Sequence, residues 1–130
     1  MSAVRSRPTP LKSRNGLIVF KTIGLFYFMH FVYIIYSAEY DKYYIGESVN
    51  PAERTEQHKT GFYKNASTSF AKDWELKLIL NLNNRSEALL VEKHIKSMKS
   101  KVFIRNLIEN TSFLSQFKEI ILKKYQVVIN

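Results

Sequence analysis

Two copies of one helix-start pattern divide this chain and limit what it can fold into. Asn50-Pro51-Ala52-Glu53 sets a capping asparagine before a proline at the first helical position, with a glutamate able to reach back to the cap. Asn84 to Glu87 repeats the asparagine-to-glutamate spacing. Each pattern follows sequence that reads as strand. Phe31 to Tyr36 is dense in aromatic and β-branched residues, Ser37 to Lys42 is polar and turn-like, and Tyr43 to Gly46 is a second short strand, antiparallel to the first as a hairpin. Trp74 to Leu82 alternates in part and reads as a third strand. The first helix is expected to run to about Lys59, ending before Gly61, and the second to about Lys99. Gly61 to Asp73, rich in Ser, Thr, Asn and Lys, reads as a long loop. Phe113, Phe117, Ile120, Ile121 and Tyr125 recur near helical spacing, so Ser112 to Tyr125 is expected to form a terminal amphipathic helix. The order β-β-α-β-α-α makes the fold class α+β.

A chain of 130 residues has room for one core. With no cysteine it has neither a disulfide framework nor a thiolate metal site, which fits a reducing, cytoplasmic compartment. The net charge of +9 favours polyanions, but Arg5, Arg7, Lys12, Arg14 and Lys21 supply five of those charges ahead of the first acidic residue, Glu39. From Met29 onward 15 basic residues face 11 acidic ones, a surplus too small to point to DNA by itself. Residues 1–28 read as an extension or a misassigned start before a domain at 29–110, with 111–130 as a helix packed on it. Their basic segment followed by apolar Leu17 to Phe28 also resembles a signal-like or membrane-surface anchor, though it is short and interrupted for a membrane span.

Five polar residues on these elements carry the chemistry. Tyr33 and Tyr44 share a sheet face if the hairpin loop has an even number of residues, as a four-residue loop does. The bland reading is that both simply pack their rings on a half-buried strand. Arg54 and His58 are four apart on one helix and so are neighbours. They are either a solvated face, beside Glu53, Glu56 and Gln57, or a phosphate-binding fork next to a group that titrates near neutrality. Glu92 lies at the margin of an apolar arc formed by Ala88, Val91, Ile95 and Met98, where a carboxylate needs a partner or a metal. The partner would be Lys96 at i+4, with Lys99 also close. The metal would be Mg²⁺ (or Mn²⁺), a hard cation content with one or two carboxylates, water and substrate phosphate. Glu87 is a rival ligand, but its place in the first turn fits capping.

Together these residues resemble the GIY-YIG nuclease family, most closely its small stand-alone bacterial members. Val32-Tyr33-Ile34 matches the first half of the family name and Tyr44-Ile45-Gly46 the second, while Pro51 through His58 and Ser86 through Lys96 match the two helices that follow. Phe31 and Val32 replace the glycine and isoleucine before the first family tyrosine, at the variable part of the motif. The resemblance covers roughly residues 29 to 106 and implies a small three-stranded antiparallel sheet flanked by helices. It implies metal-assisted hydrolysis of phosphodiester bonds in DNA, of the kind used in repair or recombination. Glu92 would be the metal ligand, Arg54 the electrostatic group, and Tyr33, Tyr44 and His58 the other catalytic members. The ultimate base is either Tyr33 or His58. Asn106 matches an asparagine that often closes the site. Lys96 and Lys99, in a strip with Lys93, Lys101 and Arg105, would lie along the nucleic acid or form a solvated face. A targeting protein would supply specificity if the domain has little of its own. Two other readings are a binding module of the same fold that does not cleave, and a membrane-surface protein anchored by residues 1–28.

Overall fold

The computed structural model describes residues 29–61 and 68–130. Three strands, β1 (His30–Ser37), β2 (Lys42–Ser48) and β3 (Trp74–Leu82), form an antiparallel sheet in the order β2-β1-β3. Four helices accompany them: α1 (Pro51–Lys59), α2 (Arg85–Ser97), α3 (Lys101–Glu109) and α4 (Thr111–Tyr125). The fold is α+β, as expected from the sequence. The anchor reading of residues 1–28 lies outside the described residues, and no helix among the described residues is long and apolar enough to cross a membrane.

Both asparagine caps form. Asn50 Oδ1 accepts from the Glu53 amide at 3.2 Å and Asn84 Oδ1 from the Glu87 amide at 2.9 Å. The Glu87 carboxylate accepts from the Asn83 amide at 3.3 Å, which ties it to the helix start. The second helix ends at Ser97, two residues short of the expected Lys99, because Lys99 turns into the left-handed region (φ +48°). Helix α3 was not expected. Ser100 caps it by accepting from the Phe103 amide at 3.1 Å. Asn110 then ends α3 and starts α4, accepting from the Phe113 amide at 3.0 Å.

Strand β1 is central and packs on both faces, which explains its unbroken run of apolar residues. Val32 and Ile34 face a core built with Ile45, Leu80, Leu82, the α2 residues Ala88, Val91 and Ile95, and Phe117 and Ile121 of α4. Met98 and Ile120, expected on apolar faces, are exposed: Met98 lies past the end of α2, and α4 turns Ile121 inward instead. Tyr33 and Ile35 face the other way, toward a smaller cluster with Ala71 and Trp74, flanked by Tyr44 and Leu76.

A bulge in β3 builds this second face. Ile34 pairs with Leu78 but Ile35 pairs with Leu76, leaving Lys77 as an extra residue. One extra residue reverses which face the following side chains take. Leu78, Leu80 and Leu82 therefore join the main core, whereas Trp74 and Leu76 cross to the side of Tyr33.

Candidate active site

The β1–β2 hairpin fixes the two tyrosines. Ser37 pairs with Lys42, so four residues form the turn, and Tyr33 and Tyr44 share a face. They are diagonal neighbours, because Tyr33 sits opposite Gly46 and Tyr44 opposite Ile35. Their ring centroids are 6.4 Å apart. The hairpin tip is pinned to β3 through Asp73, which accepts from the Ser37 hydroxyl at 2.6 Å and the Glu39 amide at 2.9 Å.

Gly46 makes room for Tyr33. A Cβ at this position would lie 2.6 Å from the Tyr33 hydroxyl oxygen and 2.7 Å from the ring carbon that bears it. Gly46→Ala is therefore expected to push the Tyr33 phenol from its place at a cost of about 1–3 kcal/mol, typical of an overpacked site. Chemical denaturation and the Tyr33 ring resonances in NMR spectra together check this. Parent-like values for both would show that the site accepts the methyl without displacing Tyr33.

His58 completes the cluster from α1. Its imidazole is buried and lies 4.9 Å from the Tyr44 ring, centroid to centroid. Nε2 is 3.1 Å from the Tyr33 hydroxyl and Nδ1 is 2.7 Å from the Thr68 hydroxyl. Burial, reinforced by the positive charge of Arg54 one turn earlier, lowers the His58 pKa to about 4. The imidazole is neutral at pH 7, with one nitrogen donating and one accepting.

That shift makes folding pH-dependent. The unfolded chain takes up a proton at this histidine near pH 6.5, the folded chain only near 4. Stability from this group is complete above about pH 6.5 and falls as pH drops toward 4, by up to roughly 3 kcal/mol. Urea midpoints between pH 7 and 4 should fall more steeply for the parent than for His58→Gln. Matching slopes would mean that His58 is protonated as easily in the folded chain as in the unfolded one.

Arg54 is half-buried on the same face of α1 as His58. Glu92, on α2, is largely buried and pairs with Lys96, whose ammonium lies 2.5 Å from Oε2. The ion pair anticipated from the i,i+4 spacing is thus present. The same ammonium lies 5.9 Å from the centroid of the Tyr44 ring, which links the Glu92 pair to the tyrosine cluster. Among the described residues no three His, Cys, Asp or Glu side chains converge as a metal-holding group, so Glu92 stands as a single carboxylate. Lys99 is exposed in the α2–α3 connection. Lys101 hydrogen-bonds the carboxylate and carbonyl of Asp41 at 2.9 and 2.7 Å, which commits it to the hairpin turn. Asn106 is half-buried on α3, and among the described residues no hydrogen bond joins its side chain to the tyrosine–histidine cluster.

Sequence reasoning missed two members of this site. Thr68 is buried and reaches His58, and Trp74 holds Thr68 by donating from its indole N–H to the Thr68 carbonyl at 3.1 Å. Neither carried a local signal, since Thr68 lies in a polar loop and Trp74 reaches this face only through the bulge.

Residues 29–106, more than half of the chain, match the family model of the GIY-YIG catalytic domain. No curated protein and no solved structure matches the chain.

Proposed function

The chain belongs to the GIY-YIG family, whose catalytic domain supports a nuclease-type activity, and we propose that it is a divalent-metal-dependent endonuclease hydrolysing phosphodiester bonds in DNA. The observation that carries this reading is the buried contact between the Tyr33 hydroxyl and His58 Nε2, beside Tyr44 and the Glu92–Lys96 pair.

A phosphodiester carries negative charge and resists attack by water. Arg54 offers a permanently charged planar fork that matches phosphate oxygens and offsets charge developing in the transition state. Tyr33 receives a proton from the attacking water and passes its own toward His58. Burial holds the His58 imidazole pKa at about 4, well below the range of an ordinary phenol, so complete transfer of the proton to it is uphill. The proton therefore moves in concert with attack on phosphorus. Bound phosphate eases the transfer, because its charge offsets that of Arg54, one cause of the low His58 pKa. Tyr44 bounds the site between His58 and Lys96.

The donor set fits a hard cation. Glu92 would hold Mg²⁺ or Mn²⁺ together with water and substrate oxygens, and the ion supplies charge neutralisation on the phosphate when bound. A cation there competes with Lys96 for Oε2. Lys96 at this rim and Lys99 just past the end of α2 are exposed cations available to the nucleic-acid backbone.

The hold of Lys96 on Glu92 favours one second reading, a domain that binds nucleic acid without cleaving it. A panel of labelled duplex, branched and single-stranded DNA and RNA, with and without Mg²⁺ or Mn²⁺, separates the two. The nuclease reading expects metal-dependent cleavage of DNA. Salt-sensitive binding without cleavage on any substrate would favour the binding module.

A further inference from the structure

Thr68 lies on the far side of the His58 imidazole from Tyr33. Its side chain is buried, and its Oγ1 is 2.7 Å from Nδ1 while Nε2 faces the Tyr33 hydroxyl at 3.1 Å. The Thr68 backbone is fixed independently of that hydroxyl. Its carbonyl accepts from the Trp74 indole at 3.1 Å and from the Ala71 amide at 3.4 Å. Trp74 is itself buried in the face that the β3 bulge creates. A loop residue thus has its hydroxyl aimed at one imidazole nitrogen by a core element.

We propose that Thr68 is a positioning residue that keeps His58 able to take the Tyr33 proton, its Oγ1 accepting Nδ1–H so that Nε2 presents a lone pair to the phenol. This rests on the reading of Tyr33 and His58 as a proton-transfer pair. A neutral imidazole has one donor and one acceptor nitrogen, and the opposite tautomer would turn an N–H toward Tyr33. With Nδ1–H bonded to Thr68, the phenol donates to Nε2. As the attacking water loses a proton to the tyrosine oxygen, the phenol's original proton moves to Nε2, and the imidazolium donates on both sides. Thr68 remains its acceptor at Nδ1, so the new charge is not left with an unpaired buried N–H. That support matters here because burial already disfavours the charged ring.

Thr68→Val removes the hydroxyl with little change of shape, and Thr68→Ser restores it. In single-turnover cleavage of a DNA substrate by the full chain with Mg²⁺, the valine variant should lose roughly 10- to 100-fold, the same range as when the outer hydrogen-bond partner of a metal-bound histidine is removed. The serine variant should recover most of that loss. Imidazole ¹⁵N–¹H correlation spectra of the full-length parent without metal should place the His58 proton on Nδ1. Parent spectra showing the Nε2–H tautomer would overturn the inference even if the valine variant fails to fold. Parent-like cleavage by Thr68→Val, or equal damage in the serine and valine variants, would also overturn it. His58→Ala, assayed in parallel, distinguishes the failures. Impaired His58→Ala with parent-like Thr68→Val sinks the role of Thr68 alone, whereas parent-like His58→Ala sinks the proton-transfer reading beneath it.

Discussion

Under the proposed reading, Glu92→Ala is expected to lower cleavage by on the order of 1,000-fold or more, because a cation held there would supply several kcal/mol of transition-state stabilisation. The fold should barely notice. Glu92 sits at the margin of the buried face of α2, and its pair with the half-exposed Lys96 is the kind of i,i+4 contact worth about 0.3–0.5 kcal/mol. Ala88, Val91 and Ile95, which anchor α2 to the sheet, are untouched by the change. Nucleic-acid binding should also survive, since the substitution removes a negative charge and releases Lys96. The measurements are single-turnover cleavage at saturating Mg²⁺, a thermal melt and binding to an uncleaved substrate. A variant that cuts like the parent would remove Glu92 from the site. A variant that melts far below the parent would show that the Lys96 pair is mainly structural.

How far the sequence discloses this molecule depends on how local each cause is. Asn50 and Asn84 announce their helices because an asparagine cap bonds to a backbone amide three residues ahead. Strand β1 is legible because a strand buried on both faces must be apolar throughout. The shared face of Tyr33 and Tyr44 follows from the parity of a short turn. Helix α3 had its own cap in Ser100, and the left-handed Lys99 between α2 and α3 is the break that periodicity alone does not reveal. The bulge at Lys77 is of another kind. Every even position from Trp74 to Leu82 is apolar and none marks a change of face, so the sequence reads as one continuous stripe. Thr68 was hidden for a related reason: its meaning depends on His58 ten residues earlier and Trp74 six residues later. The Lys96 contact with Tyr44 joins a helix to a strand far apart in the chain, and spacing along α2 disclosed only its pairing with Glu92.

Three substitutions separate the roles gathered around His58. Tyr33→Phe deletes one hydroxyl and keeps a ring that is almost wholly buried, so the fold should survive while His58 Nε2 loses that partner. If Tyr33 carries the proton, the loss should be at least the roughly 100-fold typical of general acid–base groups. Arg54→Lys keeps the charge but not the fork, and a comparable loss is expected from weaker stabilisation of the phosphate transition state. It should leave the pH profile nearly unchanged, because a cation still stands beside His58. His58→Ala should behave differently. Without a neutral imidazole to receive its proton, Tyr33 depends on alkaline conditions, so the deficit should be greatest at low pH and narrow as pH rises. The parent imidazole stays neutral down to about pH 4, so its assistance should persist well below the ordinary histidine range. The decisive measurement is single-turnover cleavage against pH for all three variants at saturating metal. Parent-like rates and profiles for both Tyr33→Phe and His58→Ala would leave the buried Tyr33–His58 contact as packing and confine the proposed chemistry to Arg54 and Glu92.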